Sequence, residues 1–200
     1  MPKKVDHEAR REELVRAAWR VIADRGIDEV TIREIARESG YSSGVLAHYF
    51  ENKDDLLAHA LRLSHQQIFK RYEAELEAPS SADALRAVLF DNLPLEGQRD
   101  LETRIEMSFW ARSLRNEALK QIQHDESEEQ RALLGGLIED AQEEGAISAD
   151  HDRELVLDLL GALIDGISLH ALLYPDRLPP VRQQRVMEFA LEMLGRDDPG

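Results

Sequence analysis

Between Thr31 and Lys53 the chain reads TIREIARESGYSSGVLAHYFENK, a run in which small, hydroxyl and basic residues are set at helical spacing. Ser42, Ser43 and Gly44 are small, so a helix beginning there can bring its backbone close to a partner. The free N–H groups and positive dipole end of such a helix suit a phosphate. His48 and Tyr49 follow one turn later with hydrogen-bonding side chains, and Lys53 supplies a point charge just beyond. Small residues, donors and a cation in that order fit the edge of a major groove and its flanking phosphates. Ser-Ser-Gly is also ordinary turn chemistry, and an αα-hairpin that holds no ligand would use it equally well.

The elements that must carry these groups are two short helices. Thr31 is placed to cap the first, with Glu34 three residues on as its reciprocal partner. Ile32, Ile35 and Ala36 give that helix one apolar face, and Gly40 can end it in the left-handed conformation. Ser42 caps the second, whose apolar stripe is Val45, Leu46 and Tyr49. Two helices joined by a short Gly-containing turn have the layout of a DNA-binding helix-turn-helix.

Other chemistries find little footing. The seven histidines are scattered, without the H-E-x-x-H spacing that sets two metal ligands on one helix face, and no Gly-rich phosphate loop or G-x-S-x-G occurs. No catalytic residues, metal site or cofactor are therefore expected. With no cysteine there is no disulfide or thiolate chemistry, as suits a reducing cytoplasm. No apolar run follows Met-Pro-Lys-Lys, and Leu155–Tyr174, the longest apolar candidate, contains Asp158 and Asp165, so no membrane partner is expected. The net charge of −15 looks unfavourable for nucleic acid. Its distribution answers this: Met1–Lys53 carries ten basic and ten acidic side chains, so the whole excess lies downstream. An acidic remainder repels DNA everywhere except at the neutral N-terminal face, which favours oriented, salt-sensitive binding.

The runs Thr31–Ala36, Gly40–Gly44 and His48–Leu57, with the preceding helix Leu14–Gly26, resemble the TetR (tetracycline-repressor) family. The resemblance covers about the first quarter of the chain. It implies an all-α protein with an N-terminal three-helix helix-turn-helix domain, 1–53, and a helical ligand-sensing and dimerisation bundle, 54–200, about nine helices in all. It implies a ligand-responsive regulator, most simply a repressor, that binds double-stranded DNA at a pseudo-palindromic operator as a homodimer and is released by a small-molecule effector. It places Thr31, Tyr41, Ser42, Ser43, His48, Tyr49 and Lys53 at DNA-contacting positions, and Arg33 and Gly44 join that set. Ala47 departs from the pattern, since many relatives carry an aromatic there. Leu46–Phe50 is more similar to the choline- and betaine-responsive regulators of the family. The alternative is an all-helical adaptor that binds protein and ignores duplex DNA.

Along the chain, Lys3 and Lys4 are candidates for a short arm. Glu8–Arg25 is expected to be an amphipathic helix facing inward with Leu14, Ala17, Ala18, Val21 and Ile22, stopped by Gly26, with Trp19 flanking that packing. A long helix runs from Asn52 or Asp54 to about Glu77. Pro79-Ser80-Ser81 then recaps Ala82–Leu93, Pro94–Gly97 breaks the chain, and a helix starts at Asp100 or Leu101. Glu117–Glu144 follows, with a polar run His124–Gln130, and Gly145 ends it. Asp152–Tyr174 is apolar nearly all round and is followed by Val181–Leu194.

A helix apolar on all sides needs several covers. A second copy is the natural one, in a two-fold dimer closed by Leu159, Ala162, Leu163, Gly166, Ile167 and His170 with Val186, Phe189 and Met193. A monomer core is the other reading. For the effector, the aromatic concentration Phe69, Tyr72, Phe90, Phe109 and Trp110, with Met107, lies on helices that enclose the pocket in similar proteins. Arg104, Glu106, Asp165 and His170 would anchor a ligand if buried. Aromatics with carboxylates could hold a cation.

Overall fold

The computed structural model describes residues 7–25 and 31–195, and among these it holds nine α-helices and no strand. They are α1 (His7–Arg25), α2 (Ile32–Ser39), α3 (Ser43–Tyr49), α4 (Lys53–Glu75), α5 (Ser81–Asp91), α6 (Gly97–Ser113), α7 (Glu117–Glu143), α8 (Arg153–Leu173) and α9 (Pro180–Leu194). Lys3, Lys4 and Gly26 lie outside the described residues. The polar run His124–Gln130 does not interrupt α7. Helix α6 begins earlier than its acidic residues led one to expect, because the Asp100 N–H already donates to Glu96 O at 2.8 Å.

The chain divides into two compact units. One unit takes Met1–Gln66 together with Arg104–Gln123. Its interior is mostly apolar, with Ser64, His65 and Ser113 as buried polar residues: Leu14, Ala17, Ala18 and Ile22 of α1 are buried, as are Ile35 and Leu46 of the two short helices and Leu56, Leu57 and Leu61 of α4. Each fully buried Leu or Ile contributes roughly 1.5–3 kcal/mol. Trp19 is no flanking residue. It is buried and its indole N–H donates to Ala60 O at 3.1 Å, joining α1 to α4. Ile105 and Phe109 are buried in the same unit. Arg112 pairs with Asp54, which also accepts from Asn116 Nδ2 at 3.0 Å. These contacts explain why the middle segment belongs with the N-terminal helices.

The second unit takes Gln67–Thr103 and His124–Gly200. Its core gathers Tyr72, Leu85, Val88, Leu89, Ile138, Leu160, Ile167 and Met187. Ser80 caps α5 by accepting from the Asp83 N–H at 3.1 Å, and Glu144 reaches back to accept from the Ser81 N–H at 3.1 Å. The bonds from Ser81, then from the Ala82 N–H, hold the Glu144 carboxyl below its usual range. Gly145 takes φ 76°, the left-handed conformation expected of the residue that ends α7. Asp152 caps α8.

A charged network crosses this interior. Arg71 makes paired hydrogen bonds to Asp91 (2.9 and 2.8 Å) and to Glu102 (3.0 and 2.7 Å), and both carboxylate side chains are only 5 % exposed. Burial alone would lower the Arg71 affinity for its proton; the bonds to Glu102 and Asp91 overrule it. Glu75 lies one turn along α4, where burial and then the Asp91 charge push it up to about 7.

Candidate nucleic-acid interface

Helix α2 is fixed at its start by a complete capping box. Thr31 Oγ1 accepts from the Glu34 N–H at 3.3 Å, while Glu34 Oε2 accepts from the Thr31 N–H at 3.0 Å and from its hydroxyl at 2.9 Å. The Thr31 bonds, then Arg25, hold the Glu34 carboxyl below the usual carboxylate range. Gly40, at φ 74°, closes α2 by donating back to Ala36 O and Arg37 O. Ser42 restarts the chain, its hydroxyl accepting from the Val45 N–H at 3.4 Å. Thr31 itself is thus occupied in holding α2, whatever else it touches.

Helix α3 buries Leu46 and presents the rest. Ser42, Ser43, Gly44, Ala47 and His48 are exposed, and Val45 and Tyr49 are half-buried. A Cβ added at Gly44 would meet only Ser42 Oγ, at 3.8 Å, so the protein's own packing does not require glycine there. Arg33 is exposed on α2 and Lys53 is half-buried at the start of α4. The structure therefore brings Ser42, Ser43, Gly44, His48 and Tyr49 together on one helix and sets Tyr41 immediately before it.

Two tyrosines of this surface are braced from α1, a feature that local periodicity around Thr31–Lys53 does not show. The Tyr41 hydroxyl donates to Glu13 Oε2 at 2.8 Å, and the Arg10 guanidinium lies over its ring, 5.2 Å from the centroid. The bond to Glu13 pushes the phenol up. The Tyr49 hydroxyl is 3.1 Å from His7 Nδ1, and the His7, His48 and Tyr49 rings form an exposed cluster with centroids 5.5–6.3 Å apart. His7, Arg10 and Glu13 recur every third residue, so they share a helix face. That period was the available signal.

The effector candidates fall in different places. Phe69, Tyr72 and Phe90 belong to the second unit, where Phe69 meets Tyr72 edge-to-face at 5.6 Å. Tyr72 is wholly buried, and its hydroxyl accepts from Asn92 and from Gln130 at 3.2 Å; burial pushes the phenol up. Arg104, Met107, Phe109 and Trp110 belong to the first unit. There Phe109 is core, and Trp110 Nε1 donates to Glu106 at 2.8 Å. Asp165 and His170 are exposed on α8, so the burial that would make them anchors is not present.

The last two helices carry an apolar face that the described residues do not cover. Leu155, Leu159, Ala162, Gly166, Leu169 and Leu173 recur at alternating steps of four and three along α8, and all are exposed. On α9, Val181, Phe189 and Met193 continue it, Val181 at 68 % and Phe189 at 63 % exposure. Of the residues expected to close a dimer, Leu159, Ala162, Gly166, His170, Phe189 and Met193 are exposed, and Leu163 and Val186 are half-buried. Ile167 is a correction: it turns inward with Leu160 and Ala171 and is buried in the core. Helix α8 is long and apolar enough to cross a bilayer by length and composition alone, yet its opposite stripe is packed within this unit.

A capped pair of short helices, with the second one offering small and hydrogen-bonding residues outward, defines a helix-turn-helix DNA-binding protein. Comparison with known proteins agrees. Residues 14–60 match the bacterial regulatory proteins of the tetR family, and residues 81–196 match the BetI-type transcriptional repressor C-terminal family. The chain is 30 % identical to the HTH-type transcriptional regulator PksA of Bacillus subtilis, over 99 % of this chain and 96 % of that one. It is 30 % identical to the regulator BetI of Stenotrophomonas maltophilia, over 93 % of each. A putative transcriptional regulator of Saccharomonospora viridis, solved in complex with choline, superposes with a TM-score of 0.86 at 26 % identity, covering 92 % of this chain and 96 % of that one. The chain belongs to the TetR family of transcriptional regulators.

Proposed function

We propose that this regulator represses transcription from the cytoplasm by binding a two-fold-related DNA site as a homodimer, and that a small molecule releases it. Residues 1–53 act as the DNA-binding head and 54–200 as the sensing and dimerising part. The observation that carries the reading is the outward face of α3, where Ser42, Ser43 and Gly44 open the helix beside His48 and Tyr49. Ser42, Ser43 and Gly44 admit the backbone of α3 to a phosphate, His48 and Tyr49 reach base edges or phosphate oxygens, and Arg33 and Lys53 add charge from the flanks. The uncovered stripe of α8 and α9 supports the dimer, because an apolar face of that length calls for a second copy.

A quaternary ammonium is the effector class to test first. Support comes from the BetI-type C-terminal match and from choline in the S. viridis relative. Phe69, Tyr72 and Phe90 supply ring faces, and Glu75 supplies a carboxylate on the same helix as two of them. The test is selection of duplexes from a random pool by the purified protein at two salt concentrations, with and without choline. One inverted-repeat motif, weakened by salt, supports the reading, and its loss with choline supports the effector. A folded dimer that enriches no motif under any of these conditions rejects DNA recognition.

A further inference from the structure

Beyond the residues expected to touch DNA, the geometry points to His7 as part of the recognition surface: we propose that it sets the hydrogen-bond polarity of the Tyr49 hydroxyl and that DNA binding takes up a proton there. The inference rests on α3 being the recognition helix. His7 stands in the first turn of α1 and is exposed, and its Nδ1 is 3.1 Å from Tyr49 Oη. Among the described residues, the titratable rings that lie against it are His48 and Tyr49 of α3, with centroids at 6.3 and 5.8 Å. Arg10 lies one turn further along α1 on the same face.

The pair has two arrangements that share one geometry. With a neutral imidazole protonated on Nε2, Nδ1 is an acceptor and the Tyr49 O–H donates to it. The tyrosine oxygen then presents only lone pairs outward, which cannot bond a phosphate oxygen. When the ring takes a proton on Nδ1, that N–H donates to Tyr49 Oη. The hydroxyl hydrogen is released to turn outward, and Tyr49 becomes a phosphate donor. The same proton places a positive charge, with an Nε2–H donor, beside the phosphates. Because Met1–Lys53 balances ten basic against ten acidic side chains, one added charge changes the net charge of this segment from zero. A phosphate brought against the pair therefore favours the charged imidazole, and binding and proton uptake become linked.

The experiment measures duplex affinity by fluorescence anisotropy from pH 8 to pH 6, the interval in which imidazoles change charge. The probes are the selected inverted repeat and a mixed-sequence duplex pool at low salt. Wild-type affinity is expected to rise as pH falls, by at most about tenfold per pH unit for each linked proton. His7→Asn retains a donor and an acceptor for Tyr49 but does not titrate. It should lose most of the pH slope between pH 8 and pH 6, whereas His48→Gln should keep the His7 share of it. Calorimetry in two buffers of different ionisation enthalpy should count about one proton fewer taken up by His7→Asn. An undiminished slope and proton count in that variant would overturn the assignment. Failure of the folded wild type to bind either probe at any pH would overturn the DNA-binding reading itself, a different result.

Discussion

Arg71 makes four of the hydrogen bonds that hold the buried carboxylates of Asp91 and Glu102, and replacing it with Met tests how far they depend on it. Methionine keeps much of the apolar stem while removing the guanidinium. Four hydrogen bonds to Asp91 and Glu102 disappear, leaving two carboxylates that are each 5 % exposed. Arg99, 3.7 Å from Asp91, compensates that group in part, and Gln98 still donates to Glu102 at 2.9 Å. Breaking a buried ion pair from one side costs about 3–5 kcal/mol, and the 30 % exposure of the Arg71 side chain trims this to about 2–4 kcal/mol. For a chain of this size that lowers Tm by roughly 5–15 °C. The penalty comes from carboxylate repulsion and desolvation, and a proton on either carboxylate relieves it. The loss should therefore shrink between pH 8 and pH 5. Urea unfolding followed by circular dichroism at both pH values, at one fixed protein concentration, reads the difference. A loss under about 1 kcal/mol, or one equal at both pH values, would refute the reasoning.

Other substitutions probe other levels of the structure. Glu75, pushed up to about 7 from 4.5, binds its proton more tightly folded than unfolded, so wild-type stability falls as pH rises between those values. Glu75→Gln should remove that decline and gain about 1 kcal/mol at pH 8, after solvent screening of a half-exposed group, with no gain at pH 4; chemical denaturation at both values checks it. Thr31→Ala should cost about 1 kcal/mol through loss of the capping box, seen as a lower urea midpoint. Lys53→Ala should weaken operator binding and reduce the salt slope by about 1 per subunit, about 2 for the dimer, without changing the oligomeric mass. A Cβ added at Gly166, which is exposed, meets nothing within 4 Å in the single chain, so Gly166→Leu should leave the fold intact and shift sedimentation towards the monomer if α8 is the interface. An unchanged mass would remove α8 from that role.

What could be read in the sequence was mainly what is decided locally. Thr31, Ser42, Ser80 and Asp152 each mark a helix start because a short side-chain acceptor must meet an N–H two or three residues on. Gly40 and Gly145 mark stops because both adopt positive φ. The α3 residues were legible for the same reason, since one short helix fixes their order. What escaped was set across the chain. Trp19 finds its acceptor at Ala60, and Arg71 finds Asp91 and Glu102, in each case on a different helix. Nothing within a helical turn announces such pairs. Ile167 was misassigned for a related reason: on a helix apolar all round, periodicity cannot say which stripe faces inward. The structure separates the Leu155–Leu159–Leu169–Leu173 stripe from the buried Leu160–Ile167–Ala171 stripe. His7 was missed because its partner, Tyr49, lies 42 residues away.

The most direct test of the account is a hydroxyl-radical footprint of the selected duplex with wild type and Tyr49→Ala. The account predicts two protected patches related by a two-fold axis, on the same face of the duplex, both lost in Tyr49→Ala while the dimer persists. A single patch, or protection that survives the substitution unchanged, would contradict it.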